Sequence, residues 1–483
     1  MSTENLPGDP EISAAAAPGT GRRNVLRAAG LTALLGAAGA TGVSQATAAE
    51  RRRKKPSGDH DVIVIGAGFA GVTAARELSR NGLRPLILEA QNRIGGRTYT
   101  ADFAGEQVEL GGAWFEEGHP HAWKELLHYN QQLTTDQGPD VAFFPAEGGY
   151  RAYSPAEGFG RLAELVTPVF DGSREYFPRP LDPFAREDLV RPLDRLTLIQ
   201  RINQLNLSPV DHSWVTGNLG GLSGGSARGS FTQMAQWWSL SDWDFAKFSS
   251  ATSSRLVHGT AAFIQAMLAD ADADLRLNSP VSKVEDRGGH VCVTTGNGTT
   301  YRARAVVVAV PVNVWNRITF APGLPKVYRT LADQTVAVPA AKKIWLHIRS
   351  AEGLFYAAGA EDAPGLGDVI PVQRLGDGHL AFAFSRDPRL GISNRRQIQE
   401  SLRRWAPDAE VLAVRGHDWG NDPYARGGWT YKRPGQLTGA LRTVQRPVGR
   451  LAFAGSDIAT GWSGWVDGAI ESGLRAAGQV LDR

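Results

Sequence analysis

The sequence predicts an α/β fold built around a nucleotide-binding unit, and three observations in its first third support this prediction. The apolar run 62–65 is typical of a buried parallel strand. A glycine-rich turn with the pattern GxGxxG, residues 66–71, follows it and opens a helical pattern. A second apolar run, 86–88, ends at Glu89, about twenty residues downstream. Strand, turn, helix, strand and acid in this order are typical of a Rossmann-like domain.

Each small residue of the turn has a physical role in binding a dinucleotide. Gly66 permits the tight turn, Gly68 lets the backbone approach a pyrophosphate, and Gly71 lets the helix pack closely on the strand. The helix N-terminus, which includes Ala70, offers free N–H groups and the positive end of a dipole to the phosphates. The Glu89 carboxylate can accept both ribose hydroxyls, which excludes a 2′-phosphate and argues against NADP. The turn alone does not distinguish FAD from NAD.

Length and composition indicate a soluble globular protein with two domains. The chain has 483 residues, with 42% hydrophobic and 21% charged residues. The formal net charge of +3 comes chiefly from the basic run 51–55, so no nucleic acid partner is predicted. Cys292 is the only cysteine, which excludes an intrachain disulfide and a thiolate metal site, and no metal is predicted. Cys292 lies in an alternating run typical of a strand, so we expect a buried structural thiol.

Residues 1–48 have the order of a twin-arginine signal peptide. Arg22 and Arg23 precede the uncharged Ala/Gly/Leu stretch 28–43, and residues 46–48 offer a small-x-small cleavage site. The stretch is shorter than the ~20 residues that span a bilayer, so no permanent membrane span is predicted. Residues 49–58 are predicted to form a basic linker. We expect export by the twin-arginine route to the periplasm or the extracellular space; the alternative is a disordered Ala-rich tail with a chance arginine pair.

Two further glycine motifs help to identify the cofactor. Residues 90–98 contain a Gly-Gly turn followed by Arg97, whose planar guanidinium suits a pyrophosphate. Residues 109–114 contain another glycine pair and end at Trp114. From about residue 61 to the C-terminus, these ordered motifs resemble the flavin-containing amine oxidase family, which includes monoamine oxidases, polyamine oxidases and L-amino-acid oxidases. The chain resembles bacterial nicotine oxidoreductase and similar exported amine oxidases in particular.

The resemblance implies FAD bound without a covalent link, because Gly428 stands where some members have the attaching cysteine. In the family, the valine matched by Val281 contacts the adenine. The family usually has Gly-Glu after its last strand, whereas this chain has Gly455, Ser456 and Asp457, and we expect Asp457 to take over part of the glutamate's role. The predicted cofactor-binding residues are Gly66, Gly68, Ala70, Gly71, Glu89, Ala90, Gly96, Arg97, Gly112, Ala113, Trp114, Val281, Gly455, Ser456, Asp457, Trp465 and Val466.

The resemblance also implies an amine oxidase / p-hydroxybenzoate hydroxylase-like architecture, α/β and α+β, in which a substrate-binding domain is inserted into a Rossmann-like FAD-binding domain. The FAD-binding domain is expected from residues 59–125, 255–330 and 425–483, and the substrate-binding domain from 126–254 and 331–424. The local patterns predict a three-stranded meander over 281–303, a buried strand over 305–310, a strand over 451–453 and a final helix over 468–477.

The implied chemistry is amine oxidation. An enzyme of this family transfers a hydride equivalent from the α C–H bond of the amine to flavin N5, and water hydrolyses the imine. By resemblance, the catalytic residues are Trp429 and Trp465, which frame the amine, and Lys343, which holds a water near N5. From spacing alone, core packing of both tryptophans is the alternative. Lys342 should face the opposite side of the strand.

We predict a hydrophobic or aromatic amine as the substrate, with O₂ or a redox protein as the electron acceptor. An L-amino-acid oxidase would need an arginine for the carboxylate, and Arg228 and Arg255 lie in suitable regions. A polyamine oxidase would need acidic groups along its tunnel. A non-catalytic, electron-carrying flavoprotein is the alternative from another class. The tryptophan-rich residues 237–243 either line an apolar entrance or pack helices, and the oligomeric state is open, a homodimer included.

Overall fold

The computed structural model of this protein describes residues 60–483, so the predicted signal peptide and basic linker lie outside the described residues. The strands of the described part are β1 (Val62–Ile65), β2 (Pro85–Leu88), β3 (Thr100–Phe103), β4 (Glu106–Glu109), β5 (Leu133–Thr135), β6 (Val141–Ala146), β7 (Gly149–Tyr153), β8 (Ser254–Leu256), β9 (Asp274–Arg276), β10 (Val281–Asp286), β11 (Val291–Thr295), β12 (Thr300–Ala303), β13 (Ala305–Val308), β14 (Thr319–Ala321), β15 (Lys342–Arg349), β16 (Phe355–Ala358), β17 (Asp368–Leu375), β18 (Gly378–Ser385), β19 (Glu410–Asp418) and β20 (Leu451–Phe453).

The α-helices of the same part are α1 (Phe69–Arg80), α2 (Pro120–His128), α3 (Pro155–Val166), α4 (Ser173–Tyr176), α5 (Glu187–Leu193), α6 (Leu198–Asn203), α7 (Pro209–Ser223), α8 (Phe231–Leu240), α9 (Phe245–Ser250), α10 (Gly259–Ala269), α11 (Lys326–Gln334), α12 (Arg395–Leu402), α13 (Arg442–Val444) and α14 (Val466–Leu481). Short 3₁₀ turns cover Thr167–Phe170, Val312–Arg317 and Ser456–Ile458, and a π-helical turn covers Leu437–Leu441. None of the helices between residues 60 and 483 is long and apolar enough to cross a membrane.

A five-stranded parallel sheet in the order β20-β13-β1-β2-β9 carries the nucleotide-binding unit. Val62 pairs with Ala305 on one side and with Pro85 on the other. All four residues of β1 are buried, as expected for a parallel strand that is covered on both faces. The predicted fold class is confirmed, and so are the predicted strands β1, β2, β13 and β20, within one or two residues.

Two helices pack side by side on this parallel sheet. Gly473 of α14 allows the close approach, because a Cβ there would lie 2.5 Å from the carbonyl oxygen of Ala70 in α1. The final helix is longer than predicted, since α14 begins at Val466 and continues to Leu481. The N-termini of both helices therefore lie near the carboxyl ends of the parallel strands.

The predicted meander is also present. Strand β10 pairs with β11 and β11 with β12, both antiparallel, and β14 joins the other side of β10 in parallel. Cys292 lies on β11 and is buried, as predicted.

A seven-stranded sheet in the order β19-β15-β18-β17-β16-β6-β7 forms the second large layer. Its strands come from residues 141–153 and 342–418, whereas the parallel sheet draws on residues 62–88, 274–276, 305–308 and 451–453. Both sheets are thus assembled from segments distant in sequence. The predicted domain boundaries themselves stay a prediction.

Candidate active site

A cavity of about 470 Å³ lies where residues that follow the carboxyl ends of the parallel strands meet the seven-stranded sheet. Gly66 follows β1, Ala309 follows β13 and Gly455 follows β20, and all three line the cavity. Residues of β15, β17 and β18 line the opposite wall. In open α/β sheets, ligands bind in the crevice outside the carboxyl ends of the strands. The fold therefore places the cavity where a nucleotide cofactor is expected.

The glycine-rich turn forms one wall of this cavity. Gly66 has a φ of +101°, and a Cβ there would lie 2.8 Å from the carbonyl oxygen of Ala309. Gly71 lies outside the cavity wall, and a Cβ there would lie 2.0 Å from the carbonyl oxygen of Gly66. Helix α1 begins at Phe69, and its N-cap residue, Gly68, has no side chain that could accept a hydrogen bond from the first N–H groups of the helix. The first N–H groups of the helix therefore remain available to an anionic ligand in the cavity.

Glu89 lies at the end of β2, beside this turn. Its carboxylate accepts hydrogen bonds from the backbone N–H of Ala67 at 2.7 Å and of Gln91 at 2.8 Å. Burial raises the pKa of Glu89, although both hydrogen bonds favour the ionised form. The carboxylate is thereby fixed at the cavity wall.

Arg97 lines the cavity from the second glycine motif, and its guanidinium is held in place by three groups. One nitrogen donates to the carbonyl oxygen of Gly428 at 3.0 Å, and the other donates to Ser456 Oγ at 3.0 Å and lies 2.7 Å from Asp457. Asp457 also accepts hydrogen bonds from Val312 N–H at 2.8 Å and from the Thr430 hydroxyl. Burial alone would raise the pKa of Asp457, but Arg97 and these donors hold it below its usual value.

Asp457 therefore lies behind Arg97 and is absent from the cavity wall. The unusual Ser-Asp pair of this turn orients an arginine of the wall, a role that the sequence did not indicate. The other predicted cofactor-binding residues that line the cavity are Gly68, Ala70, Ala90, Gly96, Gly112, Ala113, Trp114, Val281, Ser456, Trp465 and Val466.

The two predicted cage tryptophans line the same cavity. Trp429 donates its indole N–H to the carbonyl oxygen of Leu222 at 2.8 Å, which fixes the ring. The backbone beside Trp465 approaches the backbone beside Trp429, because a Cβ on Gly464 would lie 2.9 Å from the carbonyl oxygen of Thr430. The structure thus brings together, on one cavity, two residues that are distant in sequence.

Trp465 is supported from behind by two aromatic side chains that sequence reasoning missed. Its ring lies 5.3 Å from that of Trp462 and 5.0 Å from that of His119, centroid to centroid. His119 is fully buried, and burial lowers its pKa to about 4, so the ring is neutral. Trp237 also lines the cavity, whereas its neighbour Trp238 stacks on another aromatic ring in the interior.

Lys343 enters the cavity from β15 and is buried. Its ammonium nitrogen donates to the carbonyl oxygen of Gly111 at 3.0 Å and lies 4.5 Å from the ring centroid of Trp114 and 4.7 Å from that of Phe382. Burial lowers the pKa of Lys343 to about 7. Lys342 also borders the cavity, but its ammonium nitrogen donates to the carbonyl oxygen of Asp387 at 2.6 Å.

The seven-stranded sheet adds residues to the wall that sequence reasoning did not identify. Asp368 and Ile370 of β17 and Phe384 of β18 line the cavity. Phe384 packs edge-to-face on Trp429, with 5.1 Å between ring centroids. The sequence feature that could have identified Asp368 is an acidic residue at the start of an apolar strand. This feature is too common to mark a functional residue when only a single sequence is considered.

The two arginines considered for carboxylate binding lie outside the cavity wall. Arg255 pairs with Asp136 at 2.5 Å. Arg228 donates to Thr335 Oγ1 at 3.1 Å. Neither guanidinium is aimed at the cavity, so the feature that would favour an L-amino-acid oxidase is missing at these two positions.

Known proteins match this chain along most of its length. The family profile described as flavin containing amine oxidoreductase matches residues 69–351 and 394–481. The chain is 35% identical to pseudooxynicotine dehydrogenase of a Pseudomonas species, over 93% of this chain and 94% of that protein. It is 32% identical to nicotine dehydrogenase of Pseudomonas putida, over 96% and 97% of the two chains.

Solved structures share the fold. The structure of wild-type putrescine oxidase bound to putrescine superposes with a TM-score of 0.75 at 23% identity, covering 88% of this chain and 99% of that one. Cyclohexylamine oxidase from Brevibacterium oxydans gives a TM-score of 0.71 at 24% identity, covering 88% and 100%.

Proposed function

The chain belongs to the flavin-containing amine oxidoreductase family, and from this premise we propose that it oxidises an amine with an aromatic or hydrophobic body by means of non-covalently bound FAD. The protein is a flavin-dependent oxidoreductase that acts on a small-molecule amine. The residues of the cavity support FAD as the flavin and an aromatic or hydrophobic amine as the substrate.

The residues of the wall fit a dinucleotide flavin. The uncapped N-terminus of α1 offers N–H groups to a pyrophosphate, and the Glu89 carboxylate offers acceptors to a ribose. Arg97, held by Asp457 and Ser456, adds a fixed positive charge. The residue before Trp429 is Gly428, which has no side chain to form a covalent link. These features favour FAD held by non-covalent contacts.

When bound, a flavin supplies the two-electron oxidation of the carbon–nitrogen bond. The chain's own residues bind and orient the amine. Trp429 and Trp465 offer flat apolar faces on the wall, with Phe384 beside Trp429. Such faces orient an amine and exclude water from the reacting centre. Lys343, whose pKa is lowered toward neutrality, is suited to holding a water or accepting a proton without placing a fixed charge there.

The observation that carries this proposal is the meeting of Lys343, Trp429 and Trp465 in the cavity that the glycine-rich turn lines. Core packing would account for two tryptophans separately, but not for their convergence with a buried lysine on one cavity. A non-catalytic, electron-carrying flavoprotein would have no use for this arrangement.

The substrate class follows from the wall and from the relatives. Leu222, Trp237, Ile370 and Phe384 make the substrate side largely apolar. Two relatives are named for nicotine and pseudooxynicotine, which are amines with an aromatic ring. Cavity-facing arginines that could bind an amino-acid carboxylate are limited, within residues 60–483, to Arg97, which is already paired, and Arg317. We therefore favour an arylalkylamine over an amino acid.

An anaerobic amine screen tests this function. Purified protein should be yellow, and acid precipitation should release free FAD into the supernatant. Nicotine, pseudooxynicotine, phenylalkylamines, L-amino acids and putrescine are then mixed with the protein without oxygen, and loss of flavin absorbance is followed. Bleaching by an arylalkylamine supports the proposal. A folded but colourless protein, or one that is bleached only by amino acids, contradicts it.

We also propose export by the twin-arginine route, which carries folded proteins and so suits an enzyme loaded with its cofactor. The electron acceptor, O₂ or a redox protein, is distinguished by stopped-flow mixing of the bleached protein with oxygen. Reoxidation within seconds indicates an oxidase, whereas slow reoxidation indicates a dehydrogenase.

A further inference from the structure

Asp368 is an acidic side chain on the substrate side of the cavity, and the chemistry described above does not use it. It lines the cavity at the start of β17. One carboxylate oxygen accepts a hydrogen bond from the backbone N–H of Phe384 at 2.7 Å. No hydrogen bond from residues 60–483 reaches the second oxygen. The carboxyl group is therefore anchored by one oxygen and has the other free.

The surroundings of Asp368 make it energetically unfavourable to leave the second carboxyl oxygen without a hydrogen-bond partner. Within the described part of the chain it forms no ion pair with a lysine, arginine or histidine. Ile370, Phe384 and Trp429 make the neighbouring wall apolar. Burial raises the pKa of Asp368 to about 7, although the Phe384 N–H and the charges of Arg386 and Lys343 favour ionisation. A polar group in such a place calls for a partner, and the cavity is where a partner can enter.

The sheet register fixes how far Asp368 lies from the reacting centre. Lys343 of β15 pairs directly with Phe384 of β18, and Phe384 donates to Asp368 of β17. The three residues form a row across three adjacent strands. Since neighbouring strands lie about 4.8 Å apart, the backbones of Lys343 and Asp368 are separated by roughly 10 Å. Both polar side chains line the cavity, and Phe384, whose ring packs on Trp429, lies between them in this row.

We propose that Asp368 binds a second basic nitrogen of the substrate, separate from the amine that is oxidised. This inference rests on the proposed amine-oxidising function and narrows its substrate class to amines with two nitrogens at the two ends of an apolar body. The second nitrogen is either a pyridine-type ring nitrogen, which accepts a hydrogen bond from the protonated carboxyl, or an alkylammonium, which donates to the carboxylate. Both kinds of nitrogen would form a hydrogen bond with the Asp368 carboxyl group at the same position.

The first test uses ligands that cannot be oxidised, so that it does not depend on turnover. Binding of 3-butylpyridine and butylbenzene to the flavin-loaded protein is measured by the perturbation of the flavin spectrum or by thermal stabilisation. The two compounds differ by one ring nitrogen. We expect 3-butylpyridine to bind the wild-type protein about tenfold more tightly, equivalent to about 1.4 kcal/mol. Equal binding, or tighter binding of butylbenzene, overturns the ring-nitrogen form of the proposal.

The second test compares substrates of equal heavy-atom count, hexylamine and 1,5-diaminopentane, in anaerobic flavin bleaching. Faster bleaching by the diamine indicates an alkylammonium at Asp368. The proposal is overturned if neither the pyridine nor the diamine is preferred. If no amine bleaches the flavin at all, the proposed function fails, and the binding of 3-butylpyridine still reports on Asp368.

Two variants test whether Asp368 causes the preference for the probe that has the additional nitrogen. Asp368→Leu removes both donor and acceptor and should abolish either preference, with little effect on butylbenzene. Asp368→Asn keeps a neutral donor, so it should retain the preference for 3-butylpyridine but lose that for the diamine. Asp377→Asn, an exposed acid in the turn between β17 and β18, is the matched control. If a variant weakens the binding or bleaching of both members of a probe pair equally, Asp368 has only a structural role. If Asp368→Leu does not fold, the comparison of the paired probes in the wild-type protein still decides the proposal.

Discussion

The guanidinium of Arg97, on the cavity wall, and the buried carboxylate of Asp457 form an ion pair, with 2.7 Å between nitrogen and oxygen. The pair connects the second glycine motif to the turn after β20. The Asp457 side chain is 1% exposed and that of Arg97 is 18% exposed. Two segments at opposite ends of the described chain are therefore joined directly beneath the candidate flavin site.

Asp457→Ala should destabilise the protein and weaken flavin binding. Removing one partner of a fully buried pair typically costs about 3–5 kcal/mol, and because the Arg97 side chain is 18% exposed, we expect a loss at or below the lower end of this range. We expect a lower denaturation midpoint and a partly colourless purified protein. Flavin affinity is measured by reconstitution of the apoprotein. Asp377→Asn breaks an exposed pair with Arg349 and should cost less than about 1 kcal/mol. Similar effects of the two variants would contradict the importance of the Arg97–Asp457 pair.

Gly71→Ala should abolish flavin retention. The added methyl group would lie 2.0 Å from the carbonyl oxygen of Gly66, which is backbone and cannot move without distorting the turn. The absorbance ratio at flavin and protein wavelengths measures retention. Gly160→Ala is the matched control, because Gly160 is an exposed residue of α3 with nothing within 4 Å of an added Cβ. This control should be neutral or stabilising by up to about 1 kcal/mol. A yellow Gly71→Ala protein would refute the packing role.

Trp429→Ala should slow anaerobic flavin bleaching by amines more than about tenfold, which corresponds to about 1.4 kcal/mol of barrier. The variant removes an apolar face of the cavity and the partner of Phe384. Stopped-flow absorbance at saturating amine separates this effect from weaker binding. Trp243→Ala, at an indole that lies against Arg174 and outside the cavity wall, is the control. An unchanged bleaching rate in Trp429→Ala would remove this residue from the reacting centre.

Changing both Arg22 and Arg23 to lysine should block export if residues 1–48 are a twin-arginine signal peptide. Lysine keeps the positive charge, so the variant tests the identity of the pair and not its charge. Cell fractionation followed by immunoblotting measures the result. The unprocessed chain should accumulate in the cytoplasm, whereas continued export would refute the assignment.

The nucleotide-binding unit could be predicted from sequence because its determinants are local. The turn of residues 66–71, the strand before it and Glu89 lie within thirty residues. The positions of the glycines indicate where the backbone makes a tight turn or a close approach. The predicted strands of the parallel sheet are confirmed for the same reason, since continuous apolar runs mark them. Trp429, Trp465 and Lys343 were identified by resemblance, and the structure places them on one cavity.

The contacts that sequence reasoning missed depend on tertiary packing. Asp368 reaches the cavity because β17 lies beside β18, a pairing set by the whole seven-stranded sheet. Asp457 holds Arg97 in place through an ion pair between segments that are distant in sequence. His119 supports Trp465 from a loop before α2. No local pattern of residue types encodes such contacts, so a single sequence does not reveal them.

Lys343→Met should change the pH dependence of stability in a defined direction. Burial lowers the pKa of Lys343 to about 7, partly offset by the charges of Glu109 and Asp136, while Arg255 acts in the same sense as burial. In the unfolded chain a lysine has a pKa of about 10.4. Between pH 7 and about 10, the unfolded chain therefore binds a proton that the folded chain does not, so this residue's contribution to stability rises with pH.

Methionine cannot titrate and keeps most of the side-chain volume, so the variant lacks this rise. Below pH 7 the wild-type protein keeps a buried charge that the variant does not have. The Tm of the variant relative to wild type should therefore be most favourable at pH 6–7 and should decline by a few degrees toward pH 10. Differential scanning calorimetry of both flavin-loaded proteins across this range measures it, with Lys326→Met at an exposed lysine of α11 as the control. A constant difference in Tm would show that Lys343 does not change its protonation in this window.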